Sequence, residues 1–425
     1  MRRLTITIAT TFIAAATGLA AAPAAVAGNV AHDKVVSADP VDYTPHVLDG
    51  RVHALAVVQG TVIVGGEFSA AKEAGAFFGM RRHNLLAFDA DTGEINWAFS
   101  PQVDGAVHAL APGPHGTVFV GGSFSHVNGA PQHGLAQLDV STGRAVGTFA
   151  ATSLDSGQVN ALAADGNWLY VGGRFTGIDG VERKALARLD LRTGSVDRTF
   201  DLQLAEPRRG ALSVQAMALS PDGSQLVIDG TFTRASGKRR YQIAMINTAA
   251  SPPRLANWST KAYTDKCLPA FHTYMRGIDF APDGSYFVVV TTGGEVNNPK
   301  AMCDSAARWE AGARGTNLQP TWVNRTGGDS LYAVVTTGAA VYIGGHQRWV
   351  SNPKGHNAAG PGAVPRKGIA ALDPRTGEAL AWNPTRARGH GVEALVATPH
   401  GLFVGSDTER LGHEFHARIG KFPIE

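Results

Sequence analysis

Residues 107–124 read VHALAPGPHGTVFVGGSF, and the pattern returns as VHALAVVQGTVIVGGEF at 52 and VNALAADGNWLYVGGRF at 159. In each copy a run alternating apolar with small or polar residues leads into a turn, and a second, β-branched run ends in Gly-Gly. Two short strands joined by a turn rich in Pro, Asp or Gly predict a hairpin. The fourth copy, VQAMALSPDGSQLVIDGTF at 214, keeps the turn and loses one glycine. Looser copies begin at 275, 331 and 392, which makes seven units.

A second hairpin follows in each of the clearest units: LLAFDADTGEINWAF at 85, LAQLDVSTGRAVGTF at 135 and LARLDLRTGSVDRTF at 186. The interval from aspartate to phenylalanine is constant, Asp89 to Phe99, Asp139 to Phe149 and Asp190 to Phe200. Four strands in about fifty residues, repeated seven times, predict an all-β fold, a seven-bladed β-propeller of four-stranded antiparallel blades. The segment DYTPHVLDG at 42 parallels FSPQVDG at 99, whereas only HARIGKFP at 416 follows the last unit. The N-terminal strand is therefore expected to complete the last blade, close the ring and remove exposed edges.

Met1-Arg2-Arg3 followed by an Ala-rich apolar run ending in Ala25-Val26-Ala27 predicts a signal peptide over 1–27, leaving one propeller domain over 28–425. The two cysteines, Cys267 and Cys303, are expected to form a disulfide in an oxidising compartment, stapling an insertion around 260–305. Charge is sparse at 17%, and 38 Lys+Arg face 35 Asp+Glu. Such a balance speaks against nucleic acid or an anionic membrane as partner. No other apolar run is long enough to insert in a membrane.

The stretches ALSPDGSQLVIDGTFT and ALARLDLRTGSVDRTF resemble the delta-60 repeat family of bacterial β-propellers, closely over 50–235 and more loosely beyond. The segments PTWVNRTGGDSLYAVV and YIGGHQRW are similar to those of secreted proteins of high-GC Gram-positive bacteria. These resemblances imply fold and export, not chemistry. AFDADTGEINW at 87 and ALDPRTGEALAW at 371 also resemble the blade-docking repeat of quinoprotein dehydrogenases. The chain lacks the adjacent cysteine pair usual in that family, so a quinone-dependent oxidoreductase is the weaker expectation.

If the repeat is scaffold, function belongs where the units differ. The position after Gly-Gly carries Glu67, Ser123, Arg174, Thr231, Glu295, His346 and Asp407, a polar rim at one end of the channel or simply strand ends facing water. The late units lose the repeat and bring Arg348, Trp349, Asp407, Glu409 and Arg410, with Asp329 nearby in sequence. Arg beside Trp suits a sugar or a carboxylate, although Trp349 equally suits blade packing. His413 and His416 are candidates for a metal site, and no cofactor is otherwise expected. Two functions are open. One is a secreted, monomeric recognition or scaffold module for a polysaccharide or cell-surface ligand. The other is an extracellular polysaccharide hydrolase or lyase, with carboxylates on the blade 6/7 rim as its acid and base.

Overall fold

The computed structural model describes residues 30–149, 152–264, 267–294, 298 and 300–424, so the expected signal peptide and Glu295 lie outside the described residues. Among them, seven antiparallel sheets share one order, in which the first strand pairs with the second and the second with the third. Their first strands are Arg51–Val58, Val107–Gly113, Gln158–Ala164, Val214–Leu219, Met275–Phe280, Leu331–Thr336 and Val392–Thr398. Each first strand packs beside that of the next unit, and Val392–Thr398 packs beside Arg51–Val58. The core lies between successive sheets, as in the cluster where Phe403 and Ile419 of the last unit meet Val52, Val62 and Phe88 of the first.

Gly-Gly answers two separate steric demands. A Cβ on Gly65 would lie 2.6 Å from a methyl of Val107 on the next sheet, and one on Gly405 would lie 2.5 Å from Val52 of the first. A Cβ on Gly66 would lie 2.0 Å from the carbonyl oxygen of Arg51 within its own sheet. The reason for the second demand is a β-bulge. Val52 pairs with Gly66 and Ala54 with Gly65, so His53 has no partner in the ladder.

The expected fourth strand is shorter than the repeat predicts. Named fourth strands occur as Arg254–Leu255 and Trp322–Arg325. In four other units the outer segment makes a single bridge, such as Phe88 with Ile95 and Leu372 with Ala379. The chain is drawn out of the sheet by its own turn. Asp89 accepts from the backbone N–H groups of Asp91 and Thr92, and Phe149 and Phe200 then fold onto the aromatic rings Phe119 and Tyr170. Trp382 plays the same packing role between Tyr342 and Phe422.

In the last unit the outer position beside Ile419–Pro423 is occupied by the N-terminal segment. Ser37 N donates to Pro423 O at 2.8 Å, and Val41 N to Lys421 O at 2.9 Å. Val36 and Val47 are buried there. Cys267 and Cys303 form the expected disulfide, with Cα atoms 5.7 Å apart. No helix among the described residues is long and apolar enough to cross a membrane.

Candidate functional site

The bulge recurs at the equivalent place in all seven first strands, directly after the apolar residue that opens each repeat (Val52, Val107, Val159, Val214, Met275, Leu331 and Val392). The residue before it is always apolar and fully buried, and the bulged residue is always half-buried. Those bulged residues are His53, His108, Asn160, Gln215, Arg276, Tyr332 and Glu393. All seven line one cavity of about 910 Å³ at the centre of the molecule. A bulge re-aims a side chain that the regular pleat would send elsewhere. Here it converts seven core strands into a ring of polar groups.

Beneath that ring, Leu55, Leu110, Leu162, Met217, Ile278, Val334 and Leu395 line both this cavity and a smaller one of about 200 Å³ on the far side. The channel thus has a polar mouth and an apolar waist. The stapled insertion reaches the mouth through Phe271 and His272, and Arg174 and Thr231 contribute from the ends of second strands.

Among the described residues, Glu393 is the one carboxylate in the lining. It accepts from His53 Nδ1 at 2.5 Å and lies 2.8 Å from His390 Nδ1, with Arg51 at 3.8 Å. Burial by itself would raise its titration, but the hydrogen bonds from His390 and His53 outweigh burial and hold it at about 2. Burial pushes His108 down, helped by His53, whose ring centre is 5.5 Å away. The Tyr332 ring stacks on His390 at 4.9 Å, and burial pushes its phenol up.

The rim residues singled out in the sequence are brought together around the loop 388–391, as its support. Both oxygens of buried Asp329 are occupied, by Arg348 Nε at 2.8 Å, Arg348 Nη2 at 3.0 Å and Arg388 Nη2 at 3.3 Å. The Arg348 guanidinium lies 4.4 Å from the centre of the Trp349 ring. Asp407 accepts from the backbone N–H of His390 at 2.5 Å and of Gly391 at 3.0 Å. His346 Nδ1 donates to Gly389 O at 2.9 Å. These groups hold the loop that delivers His390 to Glu393.

The remaining candidates lie apart from this cluster. Glu67 is exposed at a strand end, and Arg410 and His413 are exposed on a small hairpin, where Arg410 reaches His413 O at 3.5 Å. His416 is buried, with Nδ1 3.3 Å from Thr44 Oγ1 and Nε2 3.4 Å from Glu414. His413 and His416 therefore point to different surroundings, and neither belongs to a group of three or more His, Cys, Asp or Glu side chains placed to hold a metal ion among the described residues. The bulge ring itself escaped the sequence reading. Its signal was the second column of the repeat, V-H-A-L-A, V-N-A-L-A, V-E-A-L-V, where one polar residue changes while its neighbours stay apolar.

Sheets arranged around a channel with a polar mouth define a β-propeller. Residues 163–200 match the model of a family described as a domain of unknown function (DUF5122) beta-propeller. The chain is also similar to the crystal structure of RRP9 WD40 repeats, at 12% identity over 94% of this chain and 100% of that one, with a TM-score of 0.54. A computationally designed protein, Ika8, is similar at 14% identity over the same shares, with a TM-score of 0.46. No curated protein matches the chain.

Proposed function

We propose that this protein is an exported, monomeric recognition module. By this reading, residues 28–425 form a single seven-bladed propeller, its ring closed by the N-terminal segment, and it binds a hydroxyl-rich saccharide of an extracellular or cell-surface polymer in the channel mouth. The observation that carries the reading is the ring of seven bulged positions. Their neighbours repeat, and their polar side chains differ from unit to unit around one cavity, as an asymmetric ligand requires. The disulfide accords with an oxidising compartment. The binding reading is favoured over hydrolysis because paired-carboxylate glycoside chemistry needs two free carboxyl groups. Among the described residues the lining offers only Glu393, and Asp329 and Asp407 are both engaged by their neighbours.

The test is retention of the purified protein on a panel of immobilised polysaccharides, with reducing ends and unsaturated products assayed on the same samples. The double variant Asn160→Ala/Gln215→Ala, which truncates two ring side chains, is expected to lose retention while melting as the parent does. Loss in Arg348→Ala or Trp349→Ala with the double variant unaffected would move the site to the outer rim. Product formation would make the protein an enzyme.

A further inference from the structure

Arg276 is the bulged residue of the fifth unit and lines the mouth cavity. Its Nη1 donates to the carbonyls of Met275 at 2.8 Å and Thr273 at 3.3 Å, and it forms no ion pair among the described residues. The acids whose fields reach it are Tyr332, Asp229, Asp304 and Glu393. Burial favours the neutral forms of Tyr332, Asp229 and Asp304, pushing Asp229 up to about 8 and Asp304 up to about 7, and Glu393 is already shared by His53 and His390. Arg174, exposed at the end of its strand, lines the same cavity and makes no ion pair among the described residues. A guanidinium withdrawn from water without an anion is costly, and its planar fork is matched by the two oxygens of a carboxylate.

We infer that the mouth site takes an acidic saccharide, with the ligand's anionic group seated on Arg276 and its hydroxyls on the neutral members of the ring. This rests on the saccharide-binding reading above and adds the charge of the ligand. A carboxylate of a uronic acid and a sulfate ester share this chemistry, since each presents a monoanion with several acceptor oxygens.

The experiment is isothermal titration calorimetry of the full protein with four probes: a short uronic acid oligosaccharide, its methyl ester, the corresponding neutral oligosaccharide and an O-sulfated neutral one. The acid or the sulfate is expected to bind about tenfold or more tightly than the ester and the neutral sugar. Arg276→Gln should erase that difference without lowering the melting temperature, and Arg276→Lys should restore part of it. The ratio of acid to sulfate identifies the natural anion. Equal affinity for acid, ester and neutral sugar, or an Arg276→Gln protein that still prefers the anion, overturns this inference and leaves saccharide recognition standing. Failure of all four probes overturns both.

Discussion

Glu393 shows how one residue couples the site to stability. Held at about 2 instead of the ordinary 4.5, its carboxylate is better stabilised in the folded protein than in the unfolded chain. A depressed value means that this contribution is fully present above about pH 4.5 and is lost as pH falls toward 2, amounting to about 3 kcal/mol at most. Urea denaturation at about pH 7 and about pH 3 is expected to show the parent losing more stability on acidification than Glu393→Gln. Equal losses would mean that the histidine contacts do not hold the charge. The same residue could be quoted from the repeat as the second letter of VEALV, but its partners are 340 and 3 positions away in sequence. Only the nearer of the two is within reach of local reading.

At the scale of the element, the bulged first strand and the Gly-Gly of the second are one device. Two residues on one strand face a single residue on the other, which crowds the partner backbone and excludes a Cβ opposite the bulge. Gly66→Ala is therefore expected to cost about 1 to 3 kcal/mol in denaturant midpoint, because the methyl must displace backbone. Gly147→Ala, where an added Cβ meets nothing within 4 Å, should be near neutral and serves as the control. The hairpins and glycines were legible in the sequence because turn chemistry and β-branched runs are local signals. The bulge was not, since strict alternation describes a regular ladder, and an extra residue is visible only once the partner strand is in register.

At the scale of the molecule, the N-terminal segment clasps the last sheet beside the first. Removing residues 30–47 exposes Ile419–Pro423 as an edge and uncovers the contacts of Val36 and Val47. The expected loss is on the order of 5 kcal/mol from apolar burial and backbone hydrogen bonds, read as a lower melting temperature and a tendency to associate through the freed edge. Unchanged melting would show that the stability of the fold does not depend on this segment. The parallel between the segment at 42 and the one at 99 is what led to the expectation that the N-terminal segment completes the last blade. The hydrogen bonds to Pro423 and Lys421 accord with it.

The sequence by itself determined the repeating unit, the all-β class and the two cysteines that join, because hydrophobic alternation, turn residues and thiols act through their immediate chemistry. It also singled out Asp329, His346, Arg348, Trp349 and Asp407 in the late units as a candidate rim. What that rim does was decided by tertiary structure alone. Whether Asp329 is a free acid or the partner of Arg348 and Arg388 depends on which side chains the fold brings within hydrogen-bonding distance, across 19 and 59 residues of chain. The ring of bulged side chains depends on the same fact at larger scale, since seven positions scattered along the sequence meet only when the sheets gather around one axis.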